Sequence, residues 1–216
     1  MGSREEILAR IRRAKQHGGA TPSKAERQMI ESYLAAHPRG PAPNFDADHL
    51  SRFIARAHLS TTSVDRVDAM TAVPTAVARY LRDQGLPLQG CVSPALAQMD
   101  WAAAGLQLEA RAARDADLVG VTGVFCALAE TATLMMVSGA QTPATNSLLP
   151  ETHIAIVPLS RLVRTMEDGW DLLRAELGEP PRAVNFISGP SRTGDIEQTI
   201  ILGAHGPYRV HVILVG

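Results

Sequence analysis

A chain of 216 residues with a formal charge of −1 presents no net field to draw in nucleic acid or an anionic membrane. Aromatic residues make up 4%, too few for base-stacking platforms, and two cysteines fall short of the roughly four thiolates an iron–sulfur cluster takes. The 45% apolar content suffices for the packed core of one large domain, or of a domain with an appendage.

In chain order, residues 1–44 read as a helical arm and linker. Ser3 and Glu6 have capping-box spacing, and Ile7, Leu8, Ile11 and Ala14 follow on one face. Arg4, Glu5 and Glu6 stand where the apolar stretch of a secretory signal would build, so a cytoplasmic protein is expected. Gly18-Gly19 ends this helix. Ser23 and Glu26 open a second one carrying Met29, Ile30, Tyr33 and Leu34, and His37 to Pro43 reads as a linker. Two lone amphipathic helices bury little, so they need a partner surface, and a homo-oligomer formed through them is one expectation.

Residues 45–216 alternate between periods. Helices are expected at about 46–58, at 71–84 and from Ser160 to Leu177. Strands are expected within 59–67, at 88–92, 106–110, 118–121, 133–137, 154–157, 184–187 and 210–215. A short helix should lie between the fourth and fifth of these. The rhythm predicts an α/β fold with a largely parallel sheet finished by the last two strands. The apolar run Leu118 to Val137 carries Glu130, and a carboxylate is costly in hydrocarbon, so no membrane span is expected. Cys91 and Cys126 read as buried thiols.

Four places carry chemistry. Gly189 to Gln198 packs Ser191, Arg192, Thr193 and Asp195 between apolar segments. Read as a strand feeding a helical turn near Asp195, it offers amides and a guanidinium to an anion. Glu130, with Thr131 beside it, must find a partner or take up a proton, so it serves either as an acid–base group or as a structural cap. His205 sits among glycines in a loop. Together with His153 and His211 it lacks metal-ligand spacing, so no metal is expected. The loop Ser138 to Pro150, with Asn146 and Ser147, reads as a pocket wall or a plain connection.

Three segments, Glu130-Thr-Ala-Thr-Leu134, Ser147-Leu-Leu-Pro-Glu-Thr-His-Ile154 and Gly189 to Pro207, resemble the LUD-domain family of lactate-utilisation proteins, in its C component. The resemblance spans about residues 45–216. It implies a three-layer α/β/α fold with a largely parallel sheet, like that of the sugar-phosphate isomerase (NagB/RpiA) and CoA-transferase group. It also implies a three-component system oxidising L-lactate to pyruvate, with cysteine-rich iron–sulfur proteins as partners and the clusters on those partners rather than on this chain. Two positions depart from the family pattern. Ala132 replaces a glycine, which matters if the backbone there has positive φ, and the loop before Ser147 lacks a basic residue.

The leading expectation is therefore a non-cluster subunit that binds a small carboxylate. Ser191, Arg192, Thr193, Asp195, Thr131 and Asn146 would bind, and Glu130 or His205 would accept a proton. A stand-alone isomerase or acyl-transferase using Glu130, and a non-catalytic interaction subunit, are the alternatives.

Overall fold

The computed structural model describes residues 3–14, 22–41, 44–45, 48–196 and 199–216. Gly18, Gly19, Asp46, Glu197 and Gln198 lie outside the described residues, as do the side chains of Ser3 and Asp195. The chain divides into two compact units, Met1–Pro41 and Ala42–Gly216. The first holds α1 (Ser3–Ala14) and α2 (Lys24–Ala36). α2 opens with the expected capping box: the Glu26 amide donates to Ser23 Oγ at 3.2 Å, and the Ser23 amide donates to the Glu26 carboxylate at 2.7 Å. Met29, Ile30, Tyr33 and Leu34 of α2 are all exposed.

The second unit runs α3 (His49–Leu59), β1 (Ser63–Val67), α4 (Val73–Asp83), β2 (Gln89–Val92), β3 (Gln107–Ala110) and β4 (Val119–Gly123). It continues with β5 (Cys126–Leu128), β6 (Thr133–Val137), α5 (Thr145–Leu148), β7 (Thr152–Pro158), β8 (Leu162–Val163) and α6 (Met166–Leu177). β9 (Val184–Ile187), β10 (Arg192–Ile196), β11 (Thr199–Leu202) and β12 (Arg209–Val215) complete it. Six strands form an all-parallel sheet in the order β1-β12-β7-β4-β2-β3. Its central strands are apolar on both faces, which a parallel sheet covered on both sides requires. On one face Ile154, Ile156 and Ile213 pack under Val73, Val77 and Leu81 of α4. On the other, Ala155, Val157, Val212 and Leu214 meet Phe53 and Ala57 of α3. Phe53 is fully buried, a contribution of about 2–3 kcal/mol.

The fold is α/β with a parallel sheet, as expected, but one flank is richer than α-helices alone. A second, four-stranded sheet, β8-β5-β6-β9, shares the α3 core and carries α6 on its outer face. Four local expectations change with it. The segment between β4 and β6 is a strand and a hairpin turn rather than a helix, because Cys126 to Leu128 pairs with Thr133 to Met135. The helix expected from Ser160 starts only at Met166. Leu162 and Val163 pair with Ala127 and Leu128 first, and the capping box of Thr165 and Asp168 then opens the helix. β9 belongs to this second sheet and does not finish the parallel one. Around Asp195 there is no helical turn: β10 and β11 form an antiparallel hairpin, in keeping with the β-branched Thr193, Ile196, Thr199 and Ile201. Cys91 and Cys126 are buried free thiols. Among the described residues no helix is long and apolar enough to cross a membrane.

Candidate functional site

The hairpin that replaces the expected helical turn moves the tail motif to the amino edge of the parallel sheet, where β1 and β12 begin. Gly189 makes the crossing there. Its φ is +78°, and a Cβ would fall 2.5 Å from the Ser60 carbonyl oxygen at the end of α3. Arg192 then reaches Thr61, its Nη2 donating to Thr61 Oγ1 at 2.5 Å. Beyond it lies a cleft of about 360 Å³ between the hairpin, the starts of β1 and β12 and the end of α4. Arg192 and Arg209 line it, with Thr61, Ser63 and Tyr80.

The floor of this cleft is polar and held in place. The imidazole of His211 stacks on Tyr80 with ring centroids 3.7 Å apart, and its Nδ1 lies 2.8 Å from Ser63 Oγ. Burial pulls the His211 pKa down to about 4, so the ring is neutral at pH 7. Burial also raises the Tyr80 phenol, against the opposing pull of Ser63 and the Arg209 charge. Two cations above neutral donors form a surface that favours a small anion.

The other expected site residues are placed as follows. Ser191 holds the β11–β12 loop: its amide donates to the Pro207 carbonyl at 2.9 Å, while the amides of Gly203 and His205 donate to its carbonyl and hydroxyl. The His205 side chain is exposed on that loop. Thr193 is buried in β10 opposite Ile201. Thr131 Oγ1 lies 2.7 Å from Thr133 Oγ1, which lies 2.5 Å from Ser188 Oγ, a run of hydroxyls leading toward Gly189.

Glu130 stands in the β5–β6 turn, and its Oε1 accepts the Met166 amide at 2.9 Å. That carboxylate caps the positive end of α6. The Glu130 carbonyl accepts from Arg52 Nη2 at 3.3 Å. Arg52 and Thr61 mark opposite ends of α3, so the anchors of Glu130 and Arg192 are separated by roughly 12 Å of helix. Glu130 does not line the arginine cleft. Ala132 in the same turn has φ +53°, the left-handed region that favours glycine, so the departure noted in the sequence falls on a strained position.

Asn146 is fully buried and clamps the chain after β3: its Oδ1 accepts from the Ala113 amide and its Nδ2 donates to the Arg111 carbonyl, both at 2.8 Å. His153 is buried with Nε2 2.8 Å from Thr122 Oγ1, and burial lowers its pKa to about 4. Sequence reasoning does not single out Thr61, Ser63, Tyr80 or Arg209. The one available signal is Leu59-Ser-Thr-Thr-Ser63, where an amphipathic helix closes without the usual glycine.

Residues 50–215 match the family model of the LUD domain. The chain belongs to the LUD-domain family. Among relatives of this LUD domain, "Lactate utilization protein C" of Bacillus velezensis is 38% identical over 100 residues, covering 45% of this chain and 42% of that protein. The protein of the same name from Exiguobacterium is 44% identical over 101 residues, covering 45% and 44%. That from Bacillus subtilis is 39% identical over 100 residues, covering 45% and 42%. The alignments thus span less than half of those relatives. A crystal structure of a DUF162 family protein from Deinococcus radiodurans at 1.70 Å resolution superposes with TM-score 0.60. It shares 22% identity and covers 81% of this chain and all of that one, a likeness of fold.

Proposed function

We propose that this LUD domain acts in lactate utilisation, as a non-cluster component that recognises a small carboxylate for a system oxidising L-lactate to pyruvate. In that reaction two electrons and two protons leave the 2-hydroxy acid. The electrons pass to iron–sulfur clusters on cysteine-rich partner proteins, since this chain has only two cysteines, both buried. The single observation that carries the reading is the cleft holding Arg192 and Arg209, which suits a carboxylate, in a domain whose relatives are named for lactate utilisation.

The geometry favours this over a stand-alone isomerase or acyl-transferase. Glu130, the nucleophile such an enzyme would use, accepts the first amide of α6. The reading therefore assigns this chain recognition and assembly, and assigns the redox step to its partners. Thr131, Thr133 and Ser188 form a run of hydroxyls from the β5–β6 turn toward Gly189, and His205 is exposed on the β11–β12 loop. The exposed apolar faces of α1 and α2 are proposed to carry subunit contacts.

The test is growth and co-purification. A host lacking this chain should lose growth on L-lactate while keeping growth on pyruvate. The tagged chain recovered from lactate-grown cells should bring down proteins rich in iron and acid-labile sulfide. Unimpaired growth on lactate without the chain would remove the reading.

A further inference from the structure

Thr61 stands in a conformation that its side chain disfavours. α3 ends in a Schellman motif: the Thr61 amide donates to the His58 carbonyl at 3.0 Å and the Thr62 amide to the Ala57 carbonyl at 2.9 Å. The motif puts Thr61 at φ +59°, the left-handed region where glycine is normal and a β-branched residue is an outlier. Such strain costs about 1–3 kcal/mol and tends to gather at functional sites. Here the strained side chain has a definite use. Its hydroxyl donates to the Ser60 carbonyl at 2.7 Å, which leaves its lone pairs turned to accept from Arg192.

Arg192 is thereby aimed across the cleft wall that Arg209 shares. Among the described residues neither guanidinium has a carboxylate within hydrogen-bonding reach: Arg192 rests on a hydroxyl, and Arg209 lies over the Tyr208 ring at 4.8 Å. Asp65, the nearest acid on β1, is taken by Arg79 at 2.7 Å. The cleft is at the small end of the size range of ligand pockets, with Leu202 and Pro190 giving it an apolar side.

We infer that Arg192 and Arg209, with the hydroxyls of Ser63 and Tyr80, form a recognition site for a small monocarboxylate of the 2-hydroxy or 2-oxo acid class, and that Thr61 is held in its strained conformation to position Arg192. The guanidiniums take the carboxylate oxygens. The hydroxyls meet the oxygen on the neighbouring carbon, and the apolar side receives a short alkyl group. The inference rests on the lactate reading for the ligand class. The placement of the site rests on Thr61 and the two arginines alone.

Calorimetric titration of the full chain with L-lactate and with pyruvate tests it, with inorganic phosphate as the competing anion. At least one of the two acids should bind, and phosphate should displace it only weakly. Arg192→Gln and Arg209→Gln should each weaken binding about tenfold or more. Thr61→Gly should weaken binding while the melting temperature holds or rises, because glycine relieves the backbone and removes the rest for Arg192. Wild-type affinity in Arg209→Gln or in Thr61→Gly overturns the inference. So does phosphate binding as tightly as the acids, which would mark a general anion patch. Failure of both acids to bind, in a chain still needed for growth on lactate, overturns the site and leaves the lactate role standing. Growth without the chain overturns the role, whatever binds.

Discussion

His153 and His211 are buried polar side chains, each held by a hydroxyl neighbour. His153, His205 and His211 lack metal-ligand spacing, and the two buried rings are put to structural use: His153 is clamped to Thr122 and His211 is stacked on Tyr80. Both stay neutral in the folded state with pKa values near 4, against an ordinary 6.5. The unfolded chain takes up protons below pH 6.5 while the folded chain resists until about pH 4, so stability falls as pH drops through that window. At pH 5 the loss should be roughly 2 kcal/mol per histidine relative to pH 7. Urea unfolding at the two pH values measures it, and equal midpoints would show that the rings are not buried neutral. Ala132 is the second residue-scale case. At φ +53° and almost fully buried, it tolerates glycine with little change, because relief of the backbone offsets the lost methyl. Ala132→Val should cost about 2 kcal/mol or more in thermal unfolding, since a β-branched side chain strains that conformation further.

Among the elements, α6 and α5 show how polar residues that look like site candidates are put to structural use. Glu130 caps α6 beside the capping box of Thr165 and Asp168. Glu130→Ala should therefore lower stability by about 1–2 kcal/mol, and Glu130→Gln, which keeps an acceptor, by less. Carboxylate affinity should be the same in both, and a loss of affinity in Glu130→Gln would return the residue to the site. Asn146 on α5 satisfies the Arg111 carbonyl and the Ala113 amide at once. Asn146→Ala leaves two backbone groups without partners and should cost about 2–4 kcal/mol, read as a shift in denaturant midpoint. Gly120 allows α5 this close: a Cβ there would lie 2.2 Å from the Asn146 carbonyl oxygen. The periodicity of β7 and α4 was legible because burial on one or both faces leaves a regular apolar pattern. The β5–β6 turn was not legible. A short apolar run reads alike as strand or helix until its partner is known.

For the molecule as a whole, the division into Met1–Pro41 and Ala42–Gly216 makes a prediction of its own. α2 has no buried residue, so its apolar stripe adds nothing to a core. Removing residues 1–41 should leave the melting temperature of the α/β unit within a few degrees of the full chain, and should release the partners if the helices hold them. A collapse of the α/β unit on truncation would contradict the division. Fold class, the family segments and the density of polar groups at the tail all follow from local pattern, because periodicity, capping residues and motif order are properties of neighbours along the chain. The shared cleft of Arg192 and Arg209, the contact of Arg192 with Thr61 and the commitment of Glu130 to α6 do not. Each depends on which segments meet in space, and nothing in the chain alone says which strand edge a hairpin will cover or which helix end a carboxylate will meet.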